Sequence, residues 1–148
     1  MLAEKSDLAE ILSVQKEAFK SVAIEYDDME MPPMSQNINS IEKEFHNGTV
    51  FFKYVRDGRI VGSVRGEIDK DGFCSIGRLV VLPAYQKLGV GNQLMQEAES
   101  YFSKCKEYRL FTGEKSHFVI NFYKKNGYRI VGKENAGKYF FVNMVKNN

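Results

Sequence analysis

Tryptophan is absent from this 148-residue sequence, and cysteine and histidine occur only twice each. Cys74 and Cys105 form no CxxC pair and have no histidine close to them in the chain. This spacing does not match the ligand patterns of structural zinc sites, so we expect no metal. Sparse, unpaired cysteines are typical of proteins kept in a reducing compartment. We therefore expect a cytoplasmic protein with two free thiols.

Long apolar runs and an excess of one charge are also missing. The longest apolar run, Leu79–Leu82, is far shorter than the about 20 residues of a membrane span. The N-terminal MLAEKSDLAE carries charges where a signal peptide needs an apolar core. With 21 basic and 19 acidic residues the net charge is +2, unlike the strongly basic surface of a nucleic-acid-binding protein. Neither a membrane nor a nucleic acid is an expected partner.

The composition that remains, 43% hydrophobic and 27% charged, is typical of a globular protein. The length fits one domain over residues 1–148. An N-cap signal at Ser6-Asp7, followed by apolar residues at helical spacing, predicts a helix over 7–20. Segment 26–36 contains adjacent prolines and predicts a loop. Ser35 is expected to cap a second helix that ends near Asn47-Gly48.

The hydrophobic period then changes to that of strands. Three segments qualify: 49–56, 59–68 and 73–82. Asp57-Gly58 joins the first two and predicts a hairpin, and Pro83 ends the third. The remaining elements are a helix from Val90, a strand over 108–113, a helix from Ser116 to about Asn126 capped by Gly127, and strands near 128–134 and 138–146. The pattern predicts a mixed α/β, or α+β, fold.

The stretch YQKLGVGN, residues 85–92, lies between an apolar strand and a predicted helix and contains Gly89 and Gly91. The first N–H groups of a helix lack intrahelical partners and lie at the positive end of its dipole. Glycine lets a phosphate approach the backbone closely. We therefore predict a phosphate or pyrophosphate bound by the amides of residues 87–92, with charge added by Lys87. A turn that simply joins strand to helix is the alternative.

The loop does not match the standard nucleotide motifs. It contains neither GxxxxGK[ST] nor GxGxxG after a strand of a parallel sheet. Instead, IGRLVVLPAYQKLGVGNQLMQEAE (76–99) resembles the acetyl-CoA-binding segment of the GNAT superfamily of N-acetyltransferases. There a strand ending in V-x-P precedes [RQ]-x-x-G-x-[GA] and a helix. The matching residues here are Val81, Pro83, Gln86, Gly89 and Gly91.

A second GNAT motif is a helix that carries a tyrosine and ends in G-[FY], and it resembles SHFVINFYKKNGYRIVG (116–132). Tyr123 falls on the family's tyrosine and Gly127-Tyr128 on its terminal pair. Ser116 stands where the family often has Asn, and Val119 where it often has Ala. The family's first strand is reduced to a few residues before Glu4. Element order otherwise agrees along essentially the whole chain, which implies a central, mostly antiparallel sheet flanked by helices.

The resemblance implies acetyl-CoA as co-substrate and acetyl transfer to an amine. In this fold the third meander strand and the following strand splay apart, and the pantetheine arm enters the gap. The cofactor-binding residues that the resemblance implies are Leu79, Val80, Val81, Gln86, Lys87, Leu88, Gly89, Val90, Gly91, Asn92, Ser116, Phe122 and Tyr123. The pyrophosphate would rest on the amides of Gln86–Asn92.

Transfer requires a stabilised oxyanion and a proton for the leaving thiolate. A backbone N–H near Val80 or Val81 is the expected oxyanion donor. Tyr123 is the expected catalytic acid, because a phenol is protonated at neutral pH; a packing role beside Phe122 is the alternative. No residue is assigned as general base. Glu67, Glu114, His117, His46, a water chain or an amine that arrives neutral all remain open.

The resemblance implies that the acceptor meets segment 24–37, whose Asp27, Asp28 and Glu30 would attract a cationic amine. A solvated loop without a ligand role is equally compatible with this composition. The acceptor is thus a small-molecule or peptide amine. A homodimer is compatible with the fold, but the sequence fixes no oligomeric state. Two other functions remain open: a module that senses acyl-CoA without transfer, and a nucleotide-binding regulator.

Overall fold

The computed structural model describes residues 1–148. Its helices are α1 (Leu8–Glu25), α2 (Pro32–Ser35), α3 (Ile38–His46), α4 (Val90–Tyr101) and α5 (His117–Lys125). Its strands are β1 (Val50–Arg56), β2 (Arg59–Ile68), β3 (Cys74–Val81), β4 (Glu107–Gly113), β5 (Arg129–Asn135) and β6 (Phe140–Asn147). Short 3₁₀ turns span Lys5–Asp7 and Pro83–Tyr85. No helix has both the length and the apolar character needed to cross a membrane.

The six strands form one sheet in the order β1-β2-β3-β4-β6-β5. Every neighbouring pair is antiparallel except β3 and β4, which run parallel. This parallel contact covers only two pairs, Cys74 with Tyr108 and Ser75 with Arg109. Both strands continue for several residues beyond it. The predicted separation of these strands is therefore present.

Helices cover both faces of the sheet. Side chains of α1 and α3 pack on one face in a cluster that includes Leu8, Ile11, Ile41 and Phe51. The opposite face is covered by α4 and α5, and that cluster includes Leu94. Burial of apolar side chains in these two layers supplies the main driving force for folding. The predicted mixed α/β fold with a mostly antiparallel sheet is confirmed.

Several predicted local features in the first half are wrong. The first helix does not end at residue 20 but continues to Glu25. The predicted loop over 26–36 contains α2, which starts at Pro32 because proline is preorganised for the first helical position. The cap of α3 is Asn37, whose side chain accepts a hydrogen bond from the Ser40 N–H at 2.9 Å, and not Ser35.

A β-bulge interrupts β3 in the region where it has separated from β4. Arg65 of β2 pairs with Gly77, whereas Ser63 pairs with Val80, so β3 carries one residue more than β2 between these pairs. Arg78 lies in the bulge with φ of +53°. Non-glycine residues seldom adopt this left-handed conformation, and strained backbone is enriched at functional sites. The bulge therefore marks this part of β3 as a candidate site.

Candidate active site

The separation of β3 and β4 leaves a gap in the sheet with an opening on each face. Beyond Ser75 and Arg109 the facing edges of the two strands do not pair with each other. On one side the gap is bordered by the chain that leads into α4, and on the other by α2 and the start of α3. Unpaired strand edges offer N–H and C=O groups to an extended ligand. Leu79, Val80 and Val81 lie on this part of β3.

The loop between β3 and α4 presents a row of free backbone donors. None of the N–H groups of residues 87–92 donates to a backbone carbonyl, and the first donor of this region with a partner is Gln93, bonded to Gly89 at 3.1 Å. The helix dipole is positive at this end of α4. Free amides at the positive end of a helix dipole form an anion-binding arrangement. The binding of a phosphate to these amides stays a prediction.

Glycine is favoured at the two positions of this loop for different structural reasons. Gly89 has φ of +83° and open space where a Cβ would lie. Gly91 is helical, and a Cβ there would lie 3.3 Å from Cζ of Phe122. The first glycine therefore serves the turn, whereas the second allows α5 to approach the start of α4. Lys87 is also left-handed, with φ of +64°.

Side chains around the loop are partly engaged within the chain. Gln86 donates from Nε2 to the carbonyl oxygen of Val81 at 3.0 Å. Asn92 Oδ1 accepts from Nδ2 of Asn126 at 3.1 Å, which ties α4 to the end of α5. Leu88 is exposed and Val90 is buried. Gln86 thus closes the end of β3, and the backbone of the loop remains free to bind an anion.

Tyr123 lies on α5 and is buried between the helix and the sheet. Its ring lies 5.4 Å from that of Phe122 and 5.8 Å from that of Tyr128, centroid to centroid. Burial raises the pKa of Tyr123 well above that of an ordinary phenol. The only fully enclosed side-chain nitrogen or oxygen without a partner is Arg65 Nε. The Tyr123 hydroxyl makes no hydrogen bond within the chain, and burial keeps the phenol protonated.

Ser116, at the start of α5, faces the opposite side of the gap. Its side chain makes no cap bond to the helix, and its hydroxyl instead lies 2.9 Å from the Tyr26 hydroxyl. The same Tyr26 oxygen accepts from the Lys115 N–H at 3.0 Å. Ser116 is the N-cap residue of α5, but its side chain bonds to Tyr26 instead of to the helix. Its assignment as a cofactor contact stays a prediction.

The residues considered as general base are dispersed. Glu67 is exposed and accepts a hydrogen bond from Thr49 Oγ1 at 3.2 Å. Glu114 pairs with Lys133 at 2.8 Å. His117 and His46 are exposed. The chain does not gather these groups into one site, and no base is assigned.

Comparison with protein families decides the family. The model of the acetyltransferase (GNAT) domain matches residues 17–147. The chain belongs to the GNAT acetyltransferases. This confirms the family expected from the two motifs. No curated protein sequence matches the chain.

Solved structures with the same fold include several acetyltransferases. The PaiA N-acetyltransferase of Thermoplasma acidophilum, solved with coenzyme A, is 23% identical, with a TM-score of 0.77 over 99% of this chain and 96% of that one. The ribosomal-protein-S18-alanine N-acetyltransferase of Escherichia coli is 14% identical, with a TM-score of 0.80 over 99% of this chain and 91% of that one. A putative streptothricin acetyltransferase of Bacillus anthracis, solved with acetyl coenzyme A, is 17% identical, with a TM-score of 0.63 over 68% of this chain and 63% of that one.

The GNAT fold also assembles a polar cluster that the motifs do not predict. Arg65 is buried on β2, and its guanidinium donates to Gln15, Gln36 and Glu44. A signal was present in the sequence, since strand alternation places Arg65 on the same face as the buried Val61. The charge of such an inward arginine requires partners from elsewhere in the chain. Arg78 joins the cluster from the bulge.

Proposed function

We propose that this GNAT domain transfers an acetyl group from acetyl-CoA directly to a primary amine. The observation that carries the proposal is the row of free N–H groups at residues 87–92, beside the gap between β3 and β4. The space in front of Gly89 is open, and Gly91 lets Phe122 of α5 pack against the start of α4. An extended thiol arm that ends in a pyrophosphate and a nucleotide fits this combination of strand edge and anion site.

Acetyl-CoA would supply an activated thioester carbonyl. The chain would bind the pyrophosphate on the amides of residues 87–92 and hold the extended arm against the free edge of Leu79–Val81. An N–H of Val80 or Val81 would donate to the carbonyl oxygen as negative charge develops on it. Such a donor acts without reorganisation because the sheet already fixes it.

Tyr123 would return a proton to the sulfur when the thiolate leaves. A buried phenol is suited to this role, because its raised pKa keeps the proton in place until a strong base such as a thiolate forms nearby. The acceptor amine must be neutral to attack. No carboxylate or histidine of the chain is assigned to remove the proton of the amine. Either water would take this proton, or the amine would arrive already neutral from solution.

Two solved relatives support an amine as acceptor. One is named an N-acetyltransferase and another a ribosomal-protein-alanine N-acetyltransferase. Both share the fold at low identity, so they support the reaction type and leave the acceptor of this chain open. The acceptor would reach the gap from the side of α2, past Tyr26 and Ser116.

The test compares ligands and then turnover. Acetyl-CoA, CoA, ATP and NAD are added separately, and the melting temperature of the purified protein is measured. A ligand at about 100 times its dissociation constant adds about 2.7 kcal/mol to the free energy of unfolding. A shift with acetyl-CoA and CoA alone, followed by amine-dependent thiol release, supports the proposal. A shift without thiol release for any amine indicates a sensing module, and a shift with ATP or NAD alone contradicts the proposal.

A further inference from the structure

A polar cavity lies on the acceptor side of the gap. Its volume is about 440 Å³. Six of its seven lining residues are polar or charged: Ser35, Gln36, Asn37, Ser40, Glu44 and Arg78. A small-molecule site usually combines concavity with a few convergent polar groups. A wall whose one apolar side chain is that of Pro32 favours a small, strongly polar ligand.

Arg78 connects this cavity to the reaction site. It stands one residue before Leu79, on the part of β3 that has separated from β4. With a strand rise of about 3.3 Å per residue, its Cα lies within roughly 7 Å of that of Val80. Its guanidinium nevertheless reaches toward α3, where Nη1 donates to Oε1 of Gln36 at 3.2 Å. A ligand held by Arg78 would therefore lie on the α3 side of the strand segment that carries Val80.

The charges of the cluster do not balance. Arg65 pairs with Glu44 at 3.0 Å, whereas Arg78 has no carboxylate within 4.0 Å. Burial lowers the pKa of Arg78, and the nearby Glu44 only partly offsets this. Burial also lowers the pKa of Arg65 to about 10, with a further contribution from the positive charge of Arg78. Two guanidinium groups thus share one carboxylate, which leaves one positive charge.

The hydrogen bonds of the cluster are also incomplete. Gln36 Oε1 already accepts from Arg65, Arg78 and Gln15, at 3.3, 3.2 and 3.1 Å. This oxygen has no capacity left for further donors. Arg65 Nε is enclosed and has no partner. A guanidinium carries five donors, and Arg78 uses one of them within the chain. The cluster is rich in donors and short of one anionic acceptor.

We propose that Arg78 binds a carboxylate of the acceptor, so that the substrate is a small polar amine that also carries a carboxylate, such as a free amino acid. This inference rests on the proposed function, because it assigns the acceptor of the same site. A single negative charge would neutralise the cluster, which favours a carboxylate over a doubly charged phosphate. Arginine binds carboxylates through two parallel hydrogen bonds. The acidic residues Asp27 and Glu30 precede the cavity in the chain and would attract the ammonium end of the same molecule.

A matched set of amines tests the chemistry. L-Serine, L-serinamide, ethanolamine and O-phosphoethanolamine share a small polar skeleton and differ in the anion. The same acid and amide comparison is extended to the other common amino acids. Thiol release gives kcat/KM for each amine, and titration calorimetry on the protein saturated with CoA gives each Kd. The preference for acid over amide is expected to be roughly 10- to 100-fold, the range of a hydrogen-bonded charge.

Arg78→Gln is the test variant, and Arg56→Gln, at an exposed arginine of β1, is its control. Arg78→Gln should bring the ratio of acid to amide close to one, Arg78→Lys should keep part of it, and Arg56→Gln should leave it unchanged. Each ratio is compared with the wild-type ratio, which cancels the different basicity of the two amines. Stabilisation by CoA in every variant shows that the fold and the cofactor site are intact.

The outcomes separate this inference from the proposed function. Equal binding and transfer for acid and amide overturn it, even where acetyl transfer to plain amines is efficient. A preference for O-phosphoethanolamine, or a preference that Arg78→Gln leaves intact, overturns it as well. Binding of the acid that depends on Arg78, with no acetyl transfer to any amine, supports the carboxylate site and contradicts the proposed reaction.

Discussion

The Tyr26 hydroxyl lies 2.9 Å from the Ser116 hydroxyl and accepts the Lys115 N–H. This contact joins the end of α1 to the start of α5, which are 90 residues apart in the chain. Tyr26 also packs against Tyr139, with the rings 4.9 Å apart, and the Tyr139 hydroxyl lies 3.3 Å from Asp28 Oδ2. This side of the gap, where the acceptor is proposed to enter, is therefore held by side chains from distant parts of the sequence.

Gly113, at the end of β4, makes this contact possible. A Cβ at position 113 would overlap the Tyr26 hydroxyl and ring. Gly113→Ala should displace Tyr26 and misplace the acceptor, and kcat/KM should fall about 10- to 100-fold. The overpacking should lower the free energy of unfolding by about 1–3 kcal/mol. Steady-state kinetics and urea unfolding measure the two effects.

Gly132→Ala is the matched control, because a Cβ there meets only Asn143 Nδ2 at 3.9 Å. It should retain kcat/KM and nearly all stability. The Kd for CoA should not change in either variant, since the anion-binding loop lies on the other side of the gap. If Gly113→Ala retained full activity, the proposed role of Tyr26 in the acceptor site would be contradicted.

Tyr123→Phe tests the catalytic acid. The substitution keeps the ring and removes the proton, so kcat should fall about 10²- to 10⁴-fold while the Kd for acetyl-CoA is retained. In the wild type, burial raises the pKa of Tyr123, and its deprotonation should not limit the rate between pH 8 and 10. Tyr128→Phe is the control, at a buried tyrosine whose hydroxyl donates to Glu99 at 2.8 Å. Equal losses of kcat in the two variants would favour a packing role for Tyr123.

The sequence predicted those features that short-range rules determine. Asp57-Gly58 forms the expected hairpin, with φ of +52° and +78°, because a tight two-residue turn requires left-handed residues. The free amides of residues 87–92 follow from the local order of strand, glycine and helix, whereas the binding of a phosphate there stays a prediction. The family motifs supplied the separation of β3 and β4, which no local pattern encodes.

The polar cluster was missed because its members are far apart in the sequence. Gln15 and Arg65 come from α1 and β2 and meet only after the sheet has formed. Arg78 adopts a left-handed conformation because of a bulge, and strand periodicity gives no warning of an extra residue. The cap of α3 lies at Asn37, two residues after the predicted Ser35, a difference within the usual error of helix boundaries.

Substitutions of the two loop glycines should separate folding from binding. Gly89 has a left-handed φ, so Gly89→Ala should cost about 1–2 kcal/mol of stability, and Gly89→Asn less, because asparagine tolerates this region. Gly91→Val places a branched side chain near Phe122 and the free amides. It should raise the Kd for CoA at least about tenfold, equivalent to one lost charge-assisted hydrogen bond. If Gly91→Val lost stability but kept the Kd for CoA, the loop would serve only as a turn between β3 and α4.

Alkaline pH should destabilise the protein in a defined window. Cys74 is fully buried, and burial raises the pKa of its thiol from 9.0 to about 12. Between these two values the unfolded chain releases this proton and the folded chain keeps it. The unfolded state then binds fewer protons, so the free energy of unfolding falls as pH rises. The contribution of Cys74 is therefore complete below pH 9 and is lost progressively up to about pH 12.

Urea unfolding at pH 8, 9, 10 and 11 measures this slope. Burial raises the pKa values of Tyr108, Tyr123 and Tyr128 as well, so the slope should steepen above pH 10, where unfolded tyrosines ionise. Cys74→Ala creates a small cavity and lowers stability at every pH, but it should also flatten the curve between pH 9 and 10, where cysteine titrates before tyrosine. If the free energy of unfolding of Cys74→Ala ran parallel to that of the wild type across this pH range, the Cys74 thiol would ionise equally in the folded and unfolded states. Cys105→Ala, at the half-buried cysteine, provides the comparison.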